Sequence, residues 1–110
     1  MNDIQFCEAQ KGDLKYIVQM LADDPLGIKR ERFESPLPSS YSNAFDSIDK
    51  DSNNALILAI LKDEIIGILQ LTFIPNLTYQ GSWRAIIEGV RVSSKFRSKG
   101  IGQSLIEEAI

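Results

Sequence analysis

The chain reads as an α/β (α+β) domain, a mixed, mostly antiparallel sheet with helices on both faces, on two observations. The run Ala55-Leu56-Ile57-Leu58-Ala59-Ile60-Leu61 is apolar at every position, so neither of its faces suits water and it must be an inner strand covered on both sides. Helix-period patterns lie before and after the strand-rich middle, giving the order strand, helix, helix, three consecutive strands, helix, and helices must therefore flank the sheet. With 110 residues the chain can build one core and little more, so one domain over 1–110 is expected.

Residues 3–9 alternate as a short first strand. Over 11–22 the apolar residues Leu14, Ile17, Val18 and Leu21 recur at helical spacing, a stripe that belongs in the core. Asp24-Pro25 stops that helix, and the stretch to Ser40, with Gly27, Pro36, Pro38 and the run Lys29-Arg30-Glu31-Arg32, reads as a loop with room for one helical turn. Tyr41, Ala44, Phe45 and Ile48 share a face over 40–49, a second helix with a serine near its start as a cap. Lys62-Asp63-Glu64 is a tight polar connection from the inner strand to a third strand over 65–74, where Gly67 marks a bulge or close packing and Pro75 ends the pairing. A loop over 76–82 leads to a fourth strand over 83–93, then an amphipathic helix.

Composition excludes several chemistries. The chain has no histidine and one cysteine, Cys7, so Ser-His-Asp and Cys-His nucleophile systems, intramolecular disulfides and thiolate zinc clusters are ruled out. Cys7 is expected to be an inert packing or surface residue. A net charge of −3 argues against non-specific nucleic-acid binding and favours cationic or neutral partners. The apolar run 55–61 is too short to span a bilayer, and no basic, apolar leader opens the sequence, so no membrane and a cytoplasmic location are the expectation.

The densest chemistry lies in Val90-Arg91-Val92-Ser93-Ser94-Lys95-Phe96-Arg97-Ser98-Lys99-Gly100-Ile101-Gly102. An apolar strand enters a basic, glycine-punctuated turn and then a helix N-terminus. Gly100 and Gly102 leave backbone N–H groups bare, the first helical turn has unpaired donors, and Arg97 and Lys99 add positive charge, which together make a cradle suited to a pyrophosphate. Two glycines before a helix also serve as ordinary turn chemistry. Neither a P-loop ending nor a third dinucleotide-motif glycine is present.

The residues Arg97-Ser98-Lys99-Gly100-Ile101-Gly102 match R-x-x-G-x-G, and with Val90-Arg91-Val92 before them and Leu105 and Ile106 after they resemble the acetyl-CoA-binding motif of the GNAT superfamily of N-acetyltransferases. Ser94 stands where a proline is frequent and Ser98 where a glycine is frequent; neither removes a backbone donor. The order of elements also matches the N-terminal part of that family. The resemblance implies acetyl-CoA as cosubstrate, with Val90, Arg91 and Val92 holding the pantetheine arm through their backbone. Arg97, Ser98, Lys99, Gly100, Ile101 and Gly102 would hold the pyrophosphate. It also implies a bulge in the fourth strand, for which Gly89 is the candidate, and a backbone N–H near Val90 to polarise the thioester carbonyl.

An amine must lose its proton before it attacks a thioester, and Glu88 is the candidate base. Counted with period two it shares a face with Ile86, Val90 and Val92, and apolar surroundings favour a carboxyl that can take a proton. The alternative is a solvated strand charge paired to Arg84 or Arg91. The resemblance places the acceptor, a small-molecule or peptide amine, near the first two helices, with Phe33, Tyr41, Phe73, Tyr79 and Trp83 as candidate lining residues.

The sequence ends inside the last helix, so the strand that a crossover would add next to the fourth is absent. The expectation is a domain incomplete at its C-terminus, without the closing strands and the helix that in the family often carries a tyrosine general acid. Its fourth strand is then an exposed edge, open to homodimer formation. Two functions follow. One is an N-acetyltransferase moving acetyl from acetyl-CoA to a primary amine by direct attack; the other is a catalytically incomplete module that binds CoA or oligomerises.

Overall fold

The computed structural model describes residues 3–23, 25–97 and 99–109. The apolar middle forms β2 (Asn54–Leu61) and β3 (Glu64–Pro75), flanked by β1 (Gln5–Glu8) and β4 (Trp83–Val92). They form one sheet in the order β1-β2-β3-β4. All three pairings are antiparallel, so among the described strands the sheet has no parallel pair. The β2–β3 turn is Lys62-Asp63, both with left-handed φ (49° and 64°), the two-residue hairpin geometry that matches strand twist.

Around the sheet stand α1 (Leu14–Leu21), α2 (Pro25–Arg30), α3 (Ser39–Lys50), the single turn α4 (Thr78–Gly81) and α5 (Ile101–Ala109). The first helix is shorter than its pattern because residues 11–13 form a 3-10 turn instead. Pro38, not a serine, occupies the N-cap of α3; its locked φ suits the turn into a helix. In the loop over 76–82, α4 is not a right-handed turn, for Tyr79, Gln80 and Gly81 all have positive φ (52°, 63° and 74°). Bonds from Asn76 N–H to the Ser82 carbonyl (2.8 Å) and Gly81 N–H to the Leu77 carbonyl (3.1 Å) hold it.

Helices cover both faces, as expected. On one, Ile17 and Met20 of α1 and Phe45 of α3 pack on Leu58 and Ile68. On the other, Ile101 and Leu105 of α5 pack on Ala59, Ile66, Leu69 and Leu71. Val18, Leu58, Ile66, Leu69 and Leu105 are fully buried, each stabilising the fold by about 1.5–3 kcal/mol. Gly67 sets the distance of α5 from the sheet: a Cβ there would stand 2.8 Å from Leu105 Cδ1 and 3.3 Å from Ile101 Cγ2. Both expectations for this glycine hold, for it packs closely under α5 and also flanks a bulge, Ala59 pairing with Gly67 but Ile60 with Ile65. Among the described residues no helix is long and apolar enough to cross a membrane.

Candidate active site

β4 is the edge strand whose two halves are offset by a bulge. Ile68 pairs with Arg91 and Gln70 with Glu88, so Gly89 and Val90 together oppose Leu69. Gly89 has φ +62°, the left-handed geometry of a glycine bulge. The extra residue corrects the period-two assignment of Glu88. Cross-strand partners share a face, so Glu88 lies with Gln70, Ile86 and Arg91 on the α1/α3 side. Val90 and Val92 join the cluster under α5. Glu88 is exposed, without the apolar surroundings expected of it, and among the described residues its side chain forms no hydrogen bond or ion pair, to Arg84 and Arg91 included.

Beyond the bulge the backbone of β4 alternates between its partner and the open edge. Ser93 N–H donates to the Ile66 carbonyl (2.8 Å), so the alternation turns the Val92 and Val90 carbonyls outward. Arg91 Nη1 donates to the Val90 carbonyl at 2.9 Å, and Arg97 Nε to the Val92 carbonyl at 3.1 Å. Each oxygen keeps a second lone pair, so the edge can still accept from a ligand.

The residues after β4 lead from a 3-10 turn (Ser94–Phe96) to α5. Gly100 has φ +79° with open space around a Cβ, so conformation rather than crowding demands glycine there. At Gly102 a Cβ would meet Val90 Cγ1 and Val92 Cγ2 at an ordinary 3.9 Å. The first bond of the helix runs from Ser104 N–H to the Gly100 carbonyl (3.0 Å). Ahead of it, the N–H groups of Gly100, Ile101, Gly102 and Gln103 find no acceptor among the described residues, while Ile101 itself is buried. Lys99 is exposed beside them. The arrangement can bind an anion through backbone donors at the positive end of a helix. Ser98, counted in the same cradle, lies outside the described residues.

Two cavities flank this region. One of about 190 Å³ lies between α1, α3 and the sheet, lined by Leu14, Val18, Tyr41, Phe45, Gln70 and Gly89 among others, so it touches the bulge. Tyr41 donates to Glu31 Oε1 (2.8 Å) and accepts from Arg32 N–H (2.9 Å). Burial first, and Glu31 beside it, push the Tyr41 hydroxyl above its ordinary value, against the Arg32 N–H bond, which lowers it. Tyr41 therefore stays a neutral hydroxyl at neutral pH. The second cavity, about 860 Å³, carries Asp13, Asp23, Asp63 and Glu64 against one cation, Lys95, which makes it a poor host for a polyphosphate.

Of the five aromatic residues singled out by sequence, Tyr41 lines the apolar cavity and Phe33 the acidic one. Phe73, Tyr79 and Trp83 are exposed on the β3–β4 hairpin. The Tyr41–Glu31 bond has no local sequence pattern to reveal it, because its partners meet only when the segment after α2 folds back on α3. Partial desolvation first, then the Asp13 carboxylate, hold the Cys7 thiol above its ordinary value, in keeping with an inert residue. Among the described residues no cluster of histidine, cysteine and acidic side chains could hold a metal ion.

Comparison with known proteins agrees with this geometry. The sequence model of the acetyltransferase (GNAT) family matches residues 17–110. A search of curated proteins returns no match. A transcriptional regulator from Bacillus halodurans C-125 is 58% identical, with a TM-score of 0.92 over 96% of this chain and 71% of that one. A Trypanosoma brucei acetyltransferase superposes with a TM-score of 0.75 at 22% identity (96% and 71% covered). Glucosamine-6-phosphate N-acetyltransferase from Arabidopsis thaliana does so with 0.76 at 16% (96% and 70%). At these two lower identities the likeness concerns the fold alone. With the family match extending from α1 to the end of the sequence, and the bulged edge strand and helix N-terminus on the page, the chain belongs to the GNAT family of acetyltransferases.

Proposed function

We propose that the chain transfers an acetyl group from acetyl-CoA to a primary amine by direct attack, without a covalent enzyme intermediate. The observation that carries this reading is the junction of a bulged β4 edge, open among the described residues, with an α5 N-terminus whose first backbone donors have no acceptor among the described residues. The residues fit the cosubstrate. The outward backbone of Val90 and Val92 suits the amides of a pantetheine arm, while the backbone of Arg91, counted with them, turns inward to Ile68 of β3. Gly100, Ile101 and Gly102 offer N–H groups to a pyrophosphate, with Lys99 as the nearby exposed cation.

Acetyl-CoA brings an activated thioester acyl group. What the protein supplies is position and a proton acceptor. The backbone N–H near Val90 is the donor for the carbonyl to be attacked. Glu88 takes the proton that the ammonium of the acceptor must lose, directly or through water. Its exposure, with no partner among the described residues, leaves it available to an amine arriving on the α1/α3 side of the sheet, where Tyr41 lines the cavity that reaches the bulge. A small-molecule or peptide amine is the acceptor class. The −3 charge suits a cationic one and gives no support to nucleic acid.

Calorimetric titration with acetyl-CoA tests the binding half of this reading, and turnover over a panel of amines tests the other. Glu88→Gln is expected to cut kcat by about 10²–10⁴-fold, the usual worth of a general base, with acetyl-CoA affinity unchanged; full turnover in that variant would remove Glu88 from the mechanism.

The open edge of β4 favours a second reading, a catalytically incomplete module that binds CoA or forms homodimers. Trp83 is 58% exposed and Ile86 37% on a strand that, among the described residues, pairs on one side only, the condition for strand addition by a second copy. Size-exclusion chromatography with light scattering decides it: a dimer broken by Ile86→Lys would support the module, and a monomer at all concentrations would dismiss pairing through β4.

A further inference from the structure

The geometry points to Arg97 as a positioning residue that braces the cradle, not as a cation that holds the pyrophosphate; this rests on the acetyl-CoA reading above. The arginine of an R-x-x-G-x-G stretch invites a charge-to-phosphate role. Here its guanidinium is already committed. Nη2 donates to the Asp23 carbonyl at 2.7 Å, across 74 positions of sequence, while Nε donates to the Val92 carbonyl at 3.1 Å. The Asp23 carboxylate adds an ion pair at 3.8 Å.

The two carbonyls are the ends of two different elements. Asp23 follows the C-terminus of α1, where unsatisfied carbonyls gather negative partial charge that a cation neutralises. Val92 is the last residue of β4, the strand on which the pantetheine arm is placed. A planar fork with several fixed donors can bridge two acceptors in this way, and an ammonium cannot do so with the same geometry. Arg97 therefore pins the start of the cradle loop to α1 and to the end of β4. Backbone donors in the first turn of α5, with Lys99, are left to meet the anion.

Bracing and phosphate contact predict different behaviour in Arg97→Lys and Arg97→Ala. A brace is lost in both, because lysine keeps the charge but not the fork. In the ligand-free chain, amide hydrogen exchange at Asp23 and Ser93 should then accelerate by about tenfold, the scale of one lost charge-assisted hydrogen bond. Both variants should weaken acetyl-CoA by similar factors, and the loss of affinity with rising salt should keep its wild-type steepness. Lys99→Ala, in contrast, should flatten that salt dependence. The inference is overturned if ligand-free exchange in both Arg97 variants matches wild type, or if Arg97→Lys binds like wild type while Arg97→Ala flattens the salt dependence. Should the wild-type chain take up no acetyl-CoA, the cosubstrate reading fails, and the ligand-free exchange still decides whether Arg97 is a brace.

Discussion

Gly100→Glu is expected to abolish measurable acetyl-CoA binding, a loss of a hundredfold or more, in a chain that stays folded. Two effects add. The first is conformational: a side chain at φ +79° costs about 1–2 kcal/mol. The second is electrostatic and larger. A carboxylate about 4 Å from a diphosphate meets each negative charge with about 1 kcal/mol of repulsion in water and about 4 kcal/mol at an effective dielectric near 20. Apart from its chain neighbours, no atom of the described residues lies within 4 Å of a Cβ at this position, so the side chain does not disrupt the core. Gly100→Ala separates the terms, since it keeps the strain and omits the charge; it should lose affinity modestly. Calorimetric titration of all three chains, with circular dichroism to check the fold, measures the effect. Equal affinity in wild type and Gly100→Glu would place the anion elsewhere.

Gly67→Val is expected to lower the thermal unfolding midpoint by about 10–20 °C and to weaken acetyl-CoA at the same time. The cause is overpacking. The added Cβ would sit 2.8 Å from Leu105 Cδ1, 3.3 Å from Ile101 Cγ2 and 3.4 Å from the Arg91 carbonyl. Leu105 and Ile101 are 0% and 2% exposed, so neither can swing away, and relief requires α5 to move off the sheet. Overpacking of this kind costs about 1–3 kcal/mol, and the two branches of valine put the case at the upper end. In a domain of this size each kcal/mol shifts the midpoint by about 4–8 °C. The cradle is the first turn of the same helix, so displacing α5 displaces its donors. Gly12→Val is the matched comparison, for a Cβ at Gly12 has nothing within 4 Å; a similar loss there would mean that any valine in place of glycine is harmful and would remove α5 from the explanation.

Much of this layout was legible in the residues. Ala55 to Leu61 announced an inner strand because apolar residues on both faces leave no side for water. Glycine within a strand pattern at positions 67 and 89 announced two departures from regular pairing, and both are bulged: Gly67 flanks the β2–β3 bulge and makes room for α5, and Gly89 adopts the β3–β4 bulge itself. The face of Glu88 was not legible. Counting by twos assumes that no residue is inserted, and a bulge of one residue moves everything beyond it to the opposite side of the sheet. Arg97 shows a similar limit. Its motif advertised a cation for the cradle, yet its acceptors are the carbonyls of Val92 and of Asp23, the latter 74 positions away.

The sequence by itself determined the element order, the inner strand, the two amphipathic faces and the glycine-bearing helix start, because each depends on residues within about a dozen positions of one another, where periodicity and backbone freedom act. Tertiary structure alone decided which face of β4 carries Glu88, what Arg97 binds, and where Tyr41 meets Glu31 and the apolar cavity reaches the bulge. Those relations depend on how segments fold back on one another, whether ten positions apart, as for Tyr41 and Glu31, or 74, as for Arg97 and Asp23, and they are set by strand register and by how closely helices can approach the sheet, quantities that no periodic pattern encodes.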